Sequence, residues 1–116
     1  MVKQLEKIFK ALGDRNRLRI VNMLSQKPMC VCEITYVLKL SQSTVSGHLR
    51  VLKEAELVAD KKEGLWVEYH LNRGSAASAR ILELVNQSLR EDPLAAGERE
   101  SALKANRNEI TCKNQS

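Results

Sequence analysis

Long apolar runs are missing from this 116-residue chain. None approaches the roughly 18 residues that a bilayer-spanning helix needs, so no membrane partner is expected. The opening residues, Met1-Val2-Lys3-Gln4-Leu5-Glu6, lack the apolar stretch of a secretory signal. Both absences point to the cytoplasm, where cysteines stay reduced. Histidine is scarce, at two residues, and no paired catalytic carboxylates accompany it, so a hydrolytic triad has nothing to be built from. A Cys-x-x-Cys motif beside a βαβ unit, which a thiol oxidoreductase would want, is absent. No internal repeat is visible. The chain therefore reads as a non-enzyme with no catalytic cofactor.

What is present suits one small domain. The length allows a modest core of the kind often completed by dimerisation, and the 43% hydrophobic content is ordinary for a globular protein. The net charge of +5 is uneven. Residues 1–90 hold 15 basic and 9 acidic groups, whereas residues 91–116 hold 4 and 5. The surplus lies in the part expected to fold, as a polyanion partner requires; the blander alternative is a solubilising surface.

Hydrophobic spacing predicts about five helices and a two-stranded hairpin. Leu5, Ile8, Phe9 and Leu12 define a first amphipathic helix stopped by Gly13. Asp14 caps a second, with Leu18, Val21 and Leu24 inward, broken at Gln26-Lys27-Pro28. A third helix starts near Cys30, which takes the N-cap position with Glu33 at N3, the capping-box spacing with cysteine in place of serine. Its apolar face is Val31, Ile34, Val37 and Leu38. Ser41 caps a fourth helix that buries Val45, Leu49 and Leu52. Leu57-Val58-Ala59-Asp60-Lys61 and Trp66-Val67-Glu68-Tyr69-His70-Leu71 read as strands, with the tip at Gly64. A last helix over residues 75–90 carries Leu82, Val85 and Leu89, flanked by Ile81 and Leu84. That stripe is broader than one small domain covers, so it reads as a dimer interface, paired with the first helix. Residues 1–91 form the expected DNA-binding and dimerisation domain. Residues 92–116 form a polar, flexible tail, with room for a short helix around residues 94–103.

Helix, short turn, helix, hairpin is the order of a winged helix-turn-helix: a mainly α domain with a small β-hairpin, here dimeric. On the fourth helix, Gln42, Ser43, Thr44, Ser46, Gly47 and Arg50 remain for the outward side. Small polar residues allow close approach to the major groove, and Arg50 suits a guanine edge or a phosphate. The helix N-terminus favours phosphate, and Lys61 and Lys62 on the wing reach the flanking backbone. His48 is a further DNA candidate, although its phase lies near the buried edge and favours packing. Trp66 reads as wing packing. The alternative use of such a unit is protein contact alone.

Cys30-Val31-Cys32 sits directly ahead of this reader. Soft thiolates select thiophilic ions, and a helix N-terminus lowers a thiol pKa, which predisposes Cys30 to be thiolate. Residues i and i+2 of an ideal helix point about 200° apart. The two sulfurs therefore chelate one atom only if the first turn of the third helix distorts, and that helix scaffolds the reader. Cysteine is also a common small core residue. The third cysteine, Cys112, is either an incidental thiol or a third ligand that folds back from the same chain or its partner.

With Ala11-Leu12-Gly13-Asp14-Arg15-Asn16-Arg17-Leu18-Arg19-Ile20, Cys30-Val31-Cys32-Glu33-Ile34, Ser41-Gln42-Ser43-Thr44-Val45-Ser46-Gly47-His48-Leu49, Leu52-Lys53-Glu54-Ala55-Glu56-Leu57-Val58 and the wing from Gly64 to Leu71, the chain resembles the ArsR/SmtB family over about residues 5–90. The resemblance implies a winged-helix homodimer that sits on double-stranded operator DNA and dissociates when an ion binds. The Cys-Val-Cys motif is similar to that of arsenic- and antimony-responsive members, which implies As(III) or Sb(III) as inducer and Cys30, Cys32 and Cys112 as metal-ligand candidates. Where some members carry a third cysteine in the same helix, this chain has Thr35. The last-helix site of Zn/Co/Ni sensors needs Asp, His and Glu, and residues 75–90 contain no His or Asp. Some Cd/Pb sensors share Cys-Val-Cys but add cysteines near the N-terminus, and none precedes Cys30. Open alternatives are a thiol redox sensor or a Cd/Pb sensor of the same fold, and a metalloid carrier that does not bind DNA.

Overall fold

Residues 1–110 of the chain are described by the computed structural model. Helix α1 (Val2–Leu12) buries Ile8 and Leu12 and leaves Phe9 61% exposed. At its end a Cβ on Gly13 would lie 3.2 Å from the Phe9 carbonyl oxygen, which favours glycine there. The Asp14 carboxylate then accepts from the backbone N–H groups of Asn16 (2.8 Å) and Arg17 (3.0 Å), starting α2 (Arg15–Leu24). Burial raises the Asp14 pKa, but those N–H donors and Arg17 outweigh it, so the net shift is downward.

Next come β1 (Met29–Cys30), α3 (Val31–Leu38), α4 (Gln42–Glu54), β2 (Val58–Glu63), β3 (Trp66–Leu71), α5 (Ala76–Leu89) and α6 (Pro93–Lys104). The turn from α3 to α4 is made by Lys39, whose φ of 58° is left-handed, and by Leu40 and Ser41. Gly64, at φ +61°, supplies the positive φ of the wing turn. The core joins Ile8, Ile20, Met23, Ile34, Leu49, Leu52, Leu57 and Leu82, all fully buried.

The winged helix-turn-helix is present, with one strand added to the expected hairpin and with the short helix allowed for around residues 94–103 found as Pro93–Lys104. The sheet has three antiparallel strands in the order β1-β3-β2, so Cys30 stands opposite Glu68 and Met29 opposite Tyr69. Beyond residue 91 the expected flexible tail gives way, as far as residue 110, to a helix packed on the domain. Pro93 stands at the start of α6, and the Asp92 side chain accepts from the Ala95 N–H at 2.9 Å. Ala95, Ala102 and Ala105 are buried. Asn22 donates to the Ala95 carbonyl at 3.0 Å, Arg19 pairs with Glu98, and Arg99 donates to Asn22 Oδ1 at 2.8 Å. Small side chains and polar contacts attach α6 to α2, which is why no apolar stripe announced it.

Among the described residues no helix is long and apolar enough to cross a membrane. On α5, Leu82 is buried, Ile81, Val85 and Leu89 are half-buried, and Leu84 is 61% exposed, so part of its apolar stripe remains uncovered, as does Phe9 of α1.

Candidate ligand and DNA-binding sites

Cys30 belongs to two elements at once. Its backbone is the last residue of β1 and the N-cap of α3, with an extended φ of −88° and ψ of 166°. The capping box closes in both directions: the Glu33 N–H faces the Cys30 sulfur, and the Glu33 carboxylate accepts from the Cys30 N–H at 3.0 Å. Cys30 is 1% exposed, Cys32 3% and Glu33 2%. A carboxylate this deep needs compensation. It comes from Arg107, whose backbone N–H, Nε and terminal N reach Glu33 at 3.2, 3.4 and 3.1 Å. The same guanidinium reaches Glu68 of β3 at 2.9 Å and lies 5.9 Å from the centre of the Trp66 ring.

These surroundings reverse one expectation. Burial, the largest influence, pushes the Cys30 thiol pKa up, and the adjacent Glu33 charge adds to it; the Glu33 N–H and Arg107 pull it down without prevailing. Cys30 is therefore held as a thiol rather than predisposed to thiolate, because the helix-end effect acts in a desolvated place. Cys32 follows on the first turn of α3, equally buried. Cys112 lies outside the described residues. Among the described residues no three His, Cys, Asp or Glu side chains are grouped to hold a metal ion. Both sulfurs at the start of α3 are buried soft atoms, and Cys30 is a free cysteine. Thr35 Oγ1, on the same helix, is buried without a hydrogen-bond partner.

Helix α4 is arranged differently. The Ser41 hydroxyl caps α4 by accepting from the Thr44 N–H at 3.2 Å, and it donates to Thr44 Oγ1 at 2.7 Å. Val45, Leu49 and Leu52 are fully buried, which seats the helix and turns Ser43, Thr44 and Arg50 to the exterior, with Gln42, Ser46 and Gly47 half-buried beside them. A Cβ on Gly47 would meet nothing within 4 Å, so this part of the face is open.

The structure brings Ser46 and Arg50 together with Lys53 and Tyr69 around a shallow concavity between α4 and the sheet. Lys53, bonded to Asp60 at 3.0 Å, and Tyr69 were not foreseen as part of this surface, although Lys53 lies one helical turn beyond Arg50. Lys61 and Lys62 are exposed on β2, with Lys61 paired to Glu63 at 2.9 Å. His48 lies apart from the outward group: its Nδ1 is 3.2 Å from Arg17, which also donates to the Ala11 carbonyl at 2.6 Å. Trp66, expected to pack on the wing, is half-buried at the start of β3, with the Arg107 guanidinium over its ring.

Residues 14–60 match the model described as "Bacterial regulatory protein, arsR family". The chain is 43% identical over 78 residues to an arsenical resistance operon repressor of Escherichia coli, covering 66% of this chain and 67% of that protein. It is 40% identical over 67 residues to a cadmium resistance transcriptional regulatory protein CadC homolog of Staphylococcus aureus, covering 57% and 55%. Among solved structures, the homodimeric winged helix-turn-helix DNA-binding domain of Mb0332 from Mycobacterium bovis superposes with a TM-score of 0.67 at 28% identity, covering 79% of this chain and 83% of that one.

Proposed function

Because the chain belongs to the arsR family of bacterial regulatory proteins, we propose that it is a homodimeric, cytoplasmic repressor that leaves its operator when trivalent arsenic or antimony binds Cys30 and Cys32. One observation carries this reading. The cysteine pair occupies the first turn of α3, the helix that supports the reading helix α4, and Cys30 is also paired in the sheet with β3 of the wing. A ligand holding both sulfurs ties the extended cap residue Cys30 to Cys32 of the first helical turn, and so constrains that turn. Both DNA-contacting elements share that foundation. Operator release needs only about 1–3 kcal/mol of coupling, a loss of about 5- to 150-fold in affinity.

Soft donors fit a thiophilic metalloid, and the relative named an arsenical resistance operon repressor supports that choice. Arg50, Ser43, Thr44, Ser46 and Gln42 contact the groove, and Lys61 and Lys62 the backbone beyond it. The uncovered apolar residues of α1 and α5, Phe9 and Leu84 among them, form the dimer face. Cys112 is a third ligand if the ion takes three sulfurs.

The test is a titration of labelled DNA from upstream of the protein's own gene, followed by anisotropy, with As(III), Sb(III), Cd(II), Pb(II) and Zn(II) in turn. Release by As(III) or Sb(III), lost in C30S and C32S proteins that still bind DNA, is the expected result. Release by As(III) that persists in both variants would falsify the cysteine assignment. Because a cadmium-resistance regulator is also similar, release by Cd(II) alone would transfer the reading to that ion.

A further inference from the structure

We propose that Arg107 is a positioning residue that ties the ligand site to the wing, so that opening the cysteine turn releases β3. This deepens the regulatory reading above and rests on it for the identity of the ligand, but not for the linkage itself.

Arg107 lies beyond the last residue of α6, which ends at Lys104, and returns to the start of α3. Its side chain is 16% exposed and pairs with two carboxylates on different elements. Glu33 belongs to the helix whose cap is Cys30, and Glu68 to the strand that stands opposite Cys30. Glu33 therefore has two obligations, one to the Cys30 N–H at 3.0 Å and one to Arg107. Pulling the Cys30 and Cys32 sulfurs onto one atom rebuilds the turn that presents the Cys30 N–H, and the first obligation is lost. Glu33 then shifts, and the guanidinium it shares with Glu68 and Trp66 shifts with it. Trp66 and Glu68 lie on β3, which pairs along its length with β2, the strand carrying Lys61 and Lys62. The linkage thus runs from sulfur cap to carboxylate, to guanidinium, to wing, each step a hydrogen-bonded or stacked contact.

Being reciprocal, the linkage can be read from the DNA end without any inducer. In a C32S/C112S background Cys30 is the one remaining cysteine of the three. Its rate of reaction with 4,4′-dithiodipyridine is measured in the free protein and on the upstream DNA. DNA binding is expected to slow the reaction at least several-fold, and R107Q and E68Q, each removing one arm of the strap, should bring the free and bound rates within about twofold of each other. E68Q spares the Glu33 pairing, so it remains informative if R107Q is poorly folded.

Trp66, the sole tryptophan, gives the second readout. Its emission should change when As(III) binds the otherwise unmodified protein, and that change should be absent in R107Q although As(III) still binds. A residue that merely stabilises the fold would lower the melting temperature and leave both the DNA protection of Cys30 and the Trp66 response in place. That outcome, in E68Q and R107Q alike, overturns the proposal. If As(III) fails to release DNA while DNA still protects Cys30 through Arg107, the ligand assignment is wrong and the linkage stands.

Discussion

The two helices of the helix-turn-helix begin in opposite surroundings. At the start of α4 the cap is Ser41, an exposed hydroxyl, followed by exposed Ser43 and Thr44. At the start of α3 the cap is Cys30, a sulfur 1% exposed, backed by a buried carboxylate and closed over by Arg107. Both ends present backbone N–H groups and a positive dipole. One leaves them toward solvent, where a phosphate can approach; the other consumes them in an internal network. The same local motif thus faces solvent in one place and an internal network in the other, and burial decides which.

The largest expected effect comes from breaking the buried end. Replacing Glu33 by alanine leaves the Cys30 N–H without its partner and Arg107 without its principal carboxylate. Removing one partner of a buried ion pair costs about 3–5 kcal/mol, so E33A should lose that much stability in urea unfolding. A loss below about 1 kcal/mol would mean that the network is solvated and the contrast between the helix ends is overstated. Next is the exposed end. Arg50→Ala should weaken operator binding by about 1–3 kcal/mol and leave the unfolding midpoint nearly unchanged. If stability falls and DNA affinity does not, the outward face of α4 is not the reading surface.

Much of α4 was legible because Val45, Leu49 and Leu52 repeat at three and four residues and Ser41 is an ordinary cap. The capping box at Cys30 was legible too, from a spacing of three. What went unseen, or was seen only in outline as α6 was, has one physical character, which is that its partners are far apart in sequence and its surfaces are small or polar. Strand β1 has two residues, too few to show an alternation. Helix α6 is held by alanines and by Arg19–Glu98, a pair 79 residues apart. Arg107 meets Glu33 across 74 residues, and nothing in its neighbourhood distinguishes it from a solvated surface arginine. The misjudged acidity of Cys30 has the same origin. Position on a helix can be read locally, whereas desolvation comes from the β3 strand and the segment that close over it.

That acidity gives a prediction of intermediate size. A thiol whose pKa is raised by folding keeps its proton in the native state where the unfolded chain has begun to lose it. Its contribution to stability is fully present below the ordinary thiol pKa and declines as pH rises through and above that value. Across the alkaline range the protein should lose stability at up to about 1.4 kcal/mol per pH unit from this group. Tyr69 is also shifted upward by burial, so the informative quantity is the difference between the unaltered protein and C30S. Urea midpoints of the two should run parallel at neutral pH and converge or cross as pH rises. Parallel curves throughout would place Cys30 in contact with solvent.

The smallest expected effect sharpens the comparison most directly, because it sets one cap against the other. Ser41→Ala removes the acceptor for the Thr44 N–H, and loss of such a cap costs about 1 kcal/mol. Water can replace the hydroxyl at an exposed position, so the value should fall in the lower part of the measured range, and Ser41→Gly should cost only a few tenths. At the other cap, Cys30→Ser retains an acceptor atom and the Glu33 contact but places a hydroxyl where the surroundings are closed. The Glu33 N–H can satisfy that hydroxyl, so C30S should stay within about 1 kcal/mol of the unaltered protein at neutral pH. If C30S instead cost as much as E33A, sulfur packing rather than capping would be holding the start of α3, and the two helix ends would differ in kind rather than in burial alone.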